Sequence, residues 1–76
     1  PSHDPVIVGR YDVCIGEKAD ACSGHRHLSC GTDIKAWSKI RCRDDFQTQL
    51  TDITLISDRG GNHCGYAIYD VVCLKP

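Results

Sequence analysis

His25, Arg26 and His27 stand between Cys22 and Cys30 in the run CSGHRHLSC, and residues of these types support three kinds of chemistry. Cysteine and histidine ligate zinc, two imidazoles can move protons on and off a ribose phosphate, and paired cysteines make scaffold. Spacing weighs against zinc. Zinc modules draw their ligands from tight pairs such as C-x2-C or H-x3-H, whereas the gaps between Cys14, Cys22, Cys30, Cys42, Cys64 and Cys73 are 7, 7, 11, 21 and 8 residues. No metal or other cofactor is expected. For catalysis, His25 and His27 would need His63 and an acid such as Glu17 beside them, as in a small secreted ribonuclease. On a helix, however, residues two apart point about 200 degrees apart and would not share a site. There is no G-x-S-x-G nucleophile elbow, and cysteines in disulfides offer no thiolate. The stretch therefore reads as scaffold with solvent-facing histidines.

The elements that must carry these residues belong to a small domain. At 76 residues, hydrophobic burial alone leaves stability marginal. Six cysteines and no methionine are the composition of a secreted disulfide framework, in which each bridge stabilises by roughly 2 to 4 kcal/mol. A secreted, extracellular protein is expected, with PSHDP as the processed end of a mature form. No run approaches the roughly 20 apolar residues of a membrane span. The formal charge of -1 predicts no general nucleic-acid binding.

PVIVGRYDVCI, Pro5 to Ile15, is rich in β-formers and predicts a central strand, since Val6, Ile7 and Val8 run without alternation. EKADACSGHRHLSC predicts a helix ended by a left-handed Gly31, with Gly24 inside it as a cost and a cysteine-pinned loop as the alternative. TDIKAWSKIRC reads two ways, as a strand with Lys35, Trp37, Lys39 and Arg41 on one face or as a helix capped by Asp33 that turns Ile34, Trp37 and Ile40 toward the core, and the start signal of Thr32 and Asp33 favours the helix. That helix either continues or gives way to a second, DDFQTQL, with Phe46 and Leu50 facing inward. TDITLIS and CGYAIYDVVCL then predict an antiparallel pair joined by DRGGNH, so RGGN is a turn rather than a phosphate loop. Residues 1–76 thus form a single α+β domain, an antiparallel sheet of three or four strands with one or two helices on one face.

The densest basic run, Lys35, Lys39, Arg41 and Arg43 with Trp37 among them, combines cations with an aromatic ring and is the candidate binding surface. Asp44 and Asp45 follow directly and partly neutralise it. Tyr11, Tyr66 and Tyr69 read as amphipathic strand residues with hydroxyls at the edge of the core.

A first strand carrying YDVC, a helix-prone middle with cysteines and a closing hairpin with YDVVC resemble the small secreted fungal killer toxins and the plant-pathogen effectors related to them in fold. The resemblance is one of size, cysteine number and element order across most of the chain, and it transfers no site residue. It implies a disulfide-stapled α/β sandwich with two helices, secretion, and action on a component of another cell, a protein or the cell surface, by binding without catalysis. A secreted hydrolase of ribonuclease type and an enzyme inhibitor presenting Ser57 to His63 are the alternatives.

Overall fold

A computed structural model describes residues 4–17, 22, 24–59, 64 and 66–76. The elements are β1 (Val6–Gly16), β2 (Arg26–Leu28), α1 (Ile34–Phe46), β3 (Leu50–Arg59) and β4 (Tyr66–Lys75). They make one four-stranded sheet in the order β2-β1-β4-β3. The sheet is mixed, not purely antiparallel: β1 pairs antiparallel with β4 and β4 with β3, but β2 runs parallel to β1. The disulfides are Cys14–Cys22, Cys30–Cys64 and Cys42–Cys73.

β2 stands where the helix expected over EKADACSGHRHLSC would have had its last turns, residues 18–21 and 23 of that run lying outside the described residues. Gly24 takes φ +85, a left-handed angle that ends any helical turn there, and the N–H of His25 closes a turn onto the Cys22 carbonyl at 3.0 Å. Cys14–Cys22 returns the chain to β1, and Arg26, His27 and Leu28 pair with Val13, Cys14 and Ile15. Gly31 is left-handed as expected, but it turns the chain out of β2 rather than capping a helix.

α1 starts where Asp33 accepts hydrogen bonds from the N–H groups of Lys35 and Ala36, at 3.1 and 3.3 Å. It ends after Phe46, because Gln47 is left-handed at φ 58 and the N–H groups of Gln47 and Thr48 fold back onto Arg43 and Cys42. The chain enters β3 at once. DDFQTQL is therefore not a second helix, and Leu50, expected to face inward, is 44% exposed.

The face of α1 that meets the sheet is also not the expected one. Ser38 and Cys42 are buried, whereas Ile40 is 48% exposed. The Cys42–Cys73 bridge sets the rotation of the helix on β4, and Ile40 is then carried outward. Ser38, whose hydroxyl donates to the Ile34 carbonyl at 2.6 Å, fits this tight contact as a larger residue would not. The Phe46 ring lies over Gly9, where any Cβ would overlap it.

β1 lies between β2 and β4, as its composition predicts, but its first residues are not enclosed: Val6 and Ile7 are 59% and 57% exposed. β2 is only three residues long and covers Val13 to Ile15, so the other end of β1 is paired on one side alone.

Cys42–Cys73 and Cys30–Cys64 close loops of nearly equal separation, 31 and 34 residues, so their entropic contributions should be alike. Cys42 and Cys73 are fully buried, while Cys30 is exposed. Urea unfolding should show Cys42→Ala with Cys73→Ala costing more than Cys30→Ala with Cys64→Ala, by about 1 kcal/mol or more, because only the first pair leaves a cavity.

Candidate binding site

Strand pairing sorts the side chains of the sheet by face, since directly opposed residues share one. The α1 side holds Gly9, Tyr11 and Val13 of β1, Val71 and Cys73 of β4, and Arg26, the partner of Val13, on β2. The other side holds Arg10, Asp12 and Cys14, with His27 opposite Cys14 and Asp70 opposite Asp12.

On the α1 side Tyr11 is the hub. Its ring meets Trp37 edge-on at 5.5 Å between centroids and Phe46 at 6.2 Å. The Arg26 guanidinium lies 5.8 Å from the Tyr11 centroid, and that of Arg41 lies 6.0 Å from Trp37. Such stacks contribute about 0.5 to 1 kcal/mol each near solvent. The Tyr11 hydroxyl donates a hydrogen bond to Asp45, whose carboxylate is 3.8 Å from Arg41. Arg41 Nε is buried without a hydrogen-bond partner, and Arg26 forms no ion pair among the described residues.

The helix divides the candidate basic run. Trp37, Arg41 and Asp45, four apart, border Tyr11, whereas Lys35, Lys39 and Arg43, also four apart, form an exposed stripe that points outward. Arg43 is engaged by its neighbour Asp44 at 3.2 Å. Two residues of the cluster, Tyr11 and Arg26, come from strands far away in sequence. The usable signal was alternation in HRH: on a strand, Arg26 faces away from the side that His25 and His27 share.

The opposite side holds a cavity of about 310 Å³ lined by Arg10, Asp12, His25, Ile56, Ile68 and Asp70. His25 Nδ1 is 2.7 Å from the Asp12 carboxylate without a hydrogen bond between them, a contact that is an ion pair only when the imidazole carries a proton. Arg10 is 3.5 Å from Asp70. His27 does not line this cavity; its Nε2–H donates to the Gly16 carbonyl at 2.7 Å. Both histidines thus make a protein contact, His27 while remaining exposed, where mainly solvent contacts were expected for GHRH. Glu17 is exposed and lies outside the cavity lining, and His63, like residues 60–62 of the expected RGGN turn, lies outside the described residues. Among the described residues no group of three or more His, Cys, Asp or Glu is placed to hold a metal ion. No described helix is long and apolar enough to cross a membrane.

Comparison with family models, with curated proteins and with solved structures finds no match to this chain.

The Tyr11 phenol is pushed up to about 12, first by burial against the helix, then by its hydrogen bond to the Asp45 carboxylate and that group's charge; Arg41 and Arg26 act in the other direction. Its folded value lies above the unfolded value of 10.0, so its contribution to stability is complete below pH 10 and is lost as pH rises toward 12. Tyr11→Phe should remove this part of the alkaline decline, as read from melts across that range with tyrosinate absorbance as the probe. His27→Ala should cost about 0.5 to 1.5 kcal/mol in urea unfolding, the net worth of its bond to Gly16.

Proposed function

We propose that this chain is a secreted protein that acts on a component of another cell by binding, in the manner of the killer toxins and effectors it resembles. The observation that carries the reading is the stacking of Arg26 on Tyr11 and Arg41 beside Trp37 on one part-exposed surface. Trp, Tyr and Arg are the residues that dominate binding energy at protein interfaces, because they offer large rigid contact area with a polar or charged edge. Here the rings are already held by Phe46 and by the Tyr11–Asp45 hydrogen bond, so little side-chain freedom is lost on contact. The outward Lys35, Lys39 and Arg43 would act as a charged rim that guides encounter with a negatively charged target. Three disulfides in so short a chain are compatible with an extracellular protein. The killer-toxin resemblance extends the reading to a stapled α/β sandwich, a fungal source and a role in virulence.

One observation favours hydrolysis as a second reading: His25 stands beside Asp12 in a cavity that also contains Arg10. An imidazole against a carboxylate can serve as a general base, and a guanidinium can hold a phosphate.

Growth inhibition of fungal cells and damage to plant tissue, run beside an RNA-cleavage assay, separate the two. The binding reading expects cell activity without cleavage. It expects Arg26→Ala or Trp37→Ala to weaken activity by about thirtyfold, the effect of losing roughly 2 kcal/mol at an interface centre. Charge reversal at Lys35 and Lys39 should have a smaller effect that fades at high salt. Cleavage that disappears in folded His25→Ala would place hydrolysis first.

A further inference from the structure

We propose that β3 is a self-association edge, which pairs antiparallel with β3 of a second copy of this chain and joins two four-stranded sheets into one. β3 is ten residues long and stands at the end of the order β2-β1-β4-β3, with β4 on one side and no described strand on the other. An edge strand presents a row of unpaired N–H and C=O groups, which proteins usually guard with proline, charged side chains (lysine above all), bulges, shortness or a covering element. The sequence of β3, LTDITLISDR, has neither proline nor lysine. It also exposes Leu50, Leu55 and Ile56 by 44%, 50% and 62%.

The irregularity of β3 selects the partner. Its register against β4 shifts between Leu55 and Ser57, so β3 carries one residue more than a regular strand there. A regular strand added to this edge would leave that residue over. A second β3, related by a two-fold axis normal to the sheet and passing between Leu55 and Ile56, sets extra residue against extra residue. Thr54 then stands opposite Ser57 of the second copy, Ile53 opposite Asp58, and Asp52 opposite Arg59.

The faces agree in this register. Asp52, Thr54 and Ser57 pair with Val72, Asp70 and Ile68, alternate residues of β4, so the three share one face. Ile53 and Asp58 pair with Val71 and Ala67 and share the other. Without the shift, Thr54 and Ser57 would lie on opposite faces and the register would fail. The same register brings Leu55 and Ile56 of both copies together at the axis.

Sedimentation of the intact, disulfide-bonded chain from micromolar to millimolar concentration should show a monomer–dimer equilibrium, with β3 amide protection rising as dimer forms. Leu55→Lys with Ile56→Lys, both at exposed positions, should give a monomer with unchanged circular dichroism. A wild-type monomer throughout the range would overturn the proposal. So would a dimer that survives the double lysine change.

Discussion

The contact of α1 with the sheet through Cys42 and Cys73 is the constraint on which the rest of this structure depends. Of the seven buried apolar side chains among the described residues, four are cysteines, and only Val13, Val71 and Val72 are aliphatic. Burying a side chain of valine size contributes at most a few kcal/mol, so three of them cannot hold a helix and four strands together against chain entropy. The bridges fill the interior and link its layers at once. Because Cys42–Cys73 fixes both the position and the rotation of α1, it decides which helix residues meet β1.

The aromatic cluster follows from that rotation. With Ser38 and Cys42 turned to the sheet, Trp37 and Arg41 lie along the flank of the helix nearest Tyr11, and Phe46 at the helix end falls on Gly9. Gly9 is needed because the ring occupies the space of a side chain. Tyr11 links the two layers a second time, by its ring contacts and by its hydroxyl on Asp45. What makes the cluster stable is also what leaves Arg26 and Arg41 held against its rim.

The other side of the sheet follows a different logic. Asp12 and Asp70 stand directly opposite one another, an unfavourable pairing of like charges. Each is offset by a cation close by, Asp70 by Arg10 and Asp12 by His25, the latter only when its imidazole carries a proton. Two bridges, Cys14–Cys22 and Cys30–Cys64, pin the segment that brings His25 there.

The sequence by itself determined the parts that depend on local chemistry. Asp33 announced the start of α1 by its capping carboxylate, the β-branched runs announced β1, β3 and β4, and composition announced a framework of disulfides. It left undecided what depends on residues distant in the chain. Which cysteines pair is not encoded in their spacing, and the pairing turns Ile40 outward although its period with Ile34 and Trp37 suggested a core face. CSGHRHLSC has the local character of a helix broken by one glycine; only Cys14–Cys22 and the free side of β1 made Arg26–Leu28 a strand. A strand alternates every second residue where a helix turns by about 100 degrees. That one change of state set His25 and His27 on one side and Arg26 on the other, and only the tertiary structure could decide it, because the hydrogen bonds that favour the strand belong to β1.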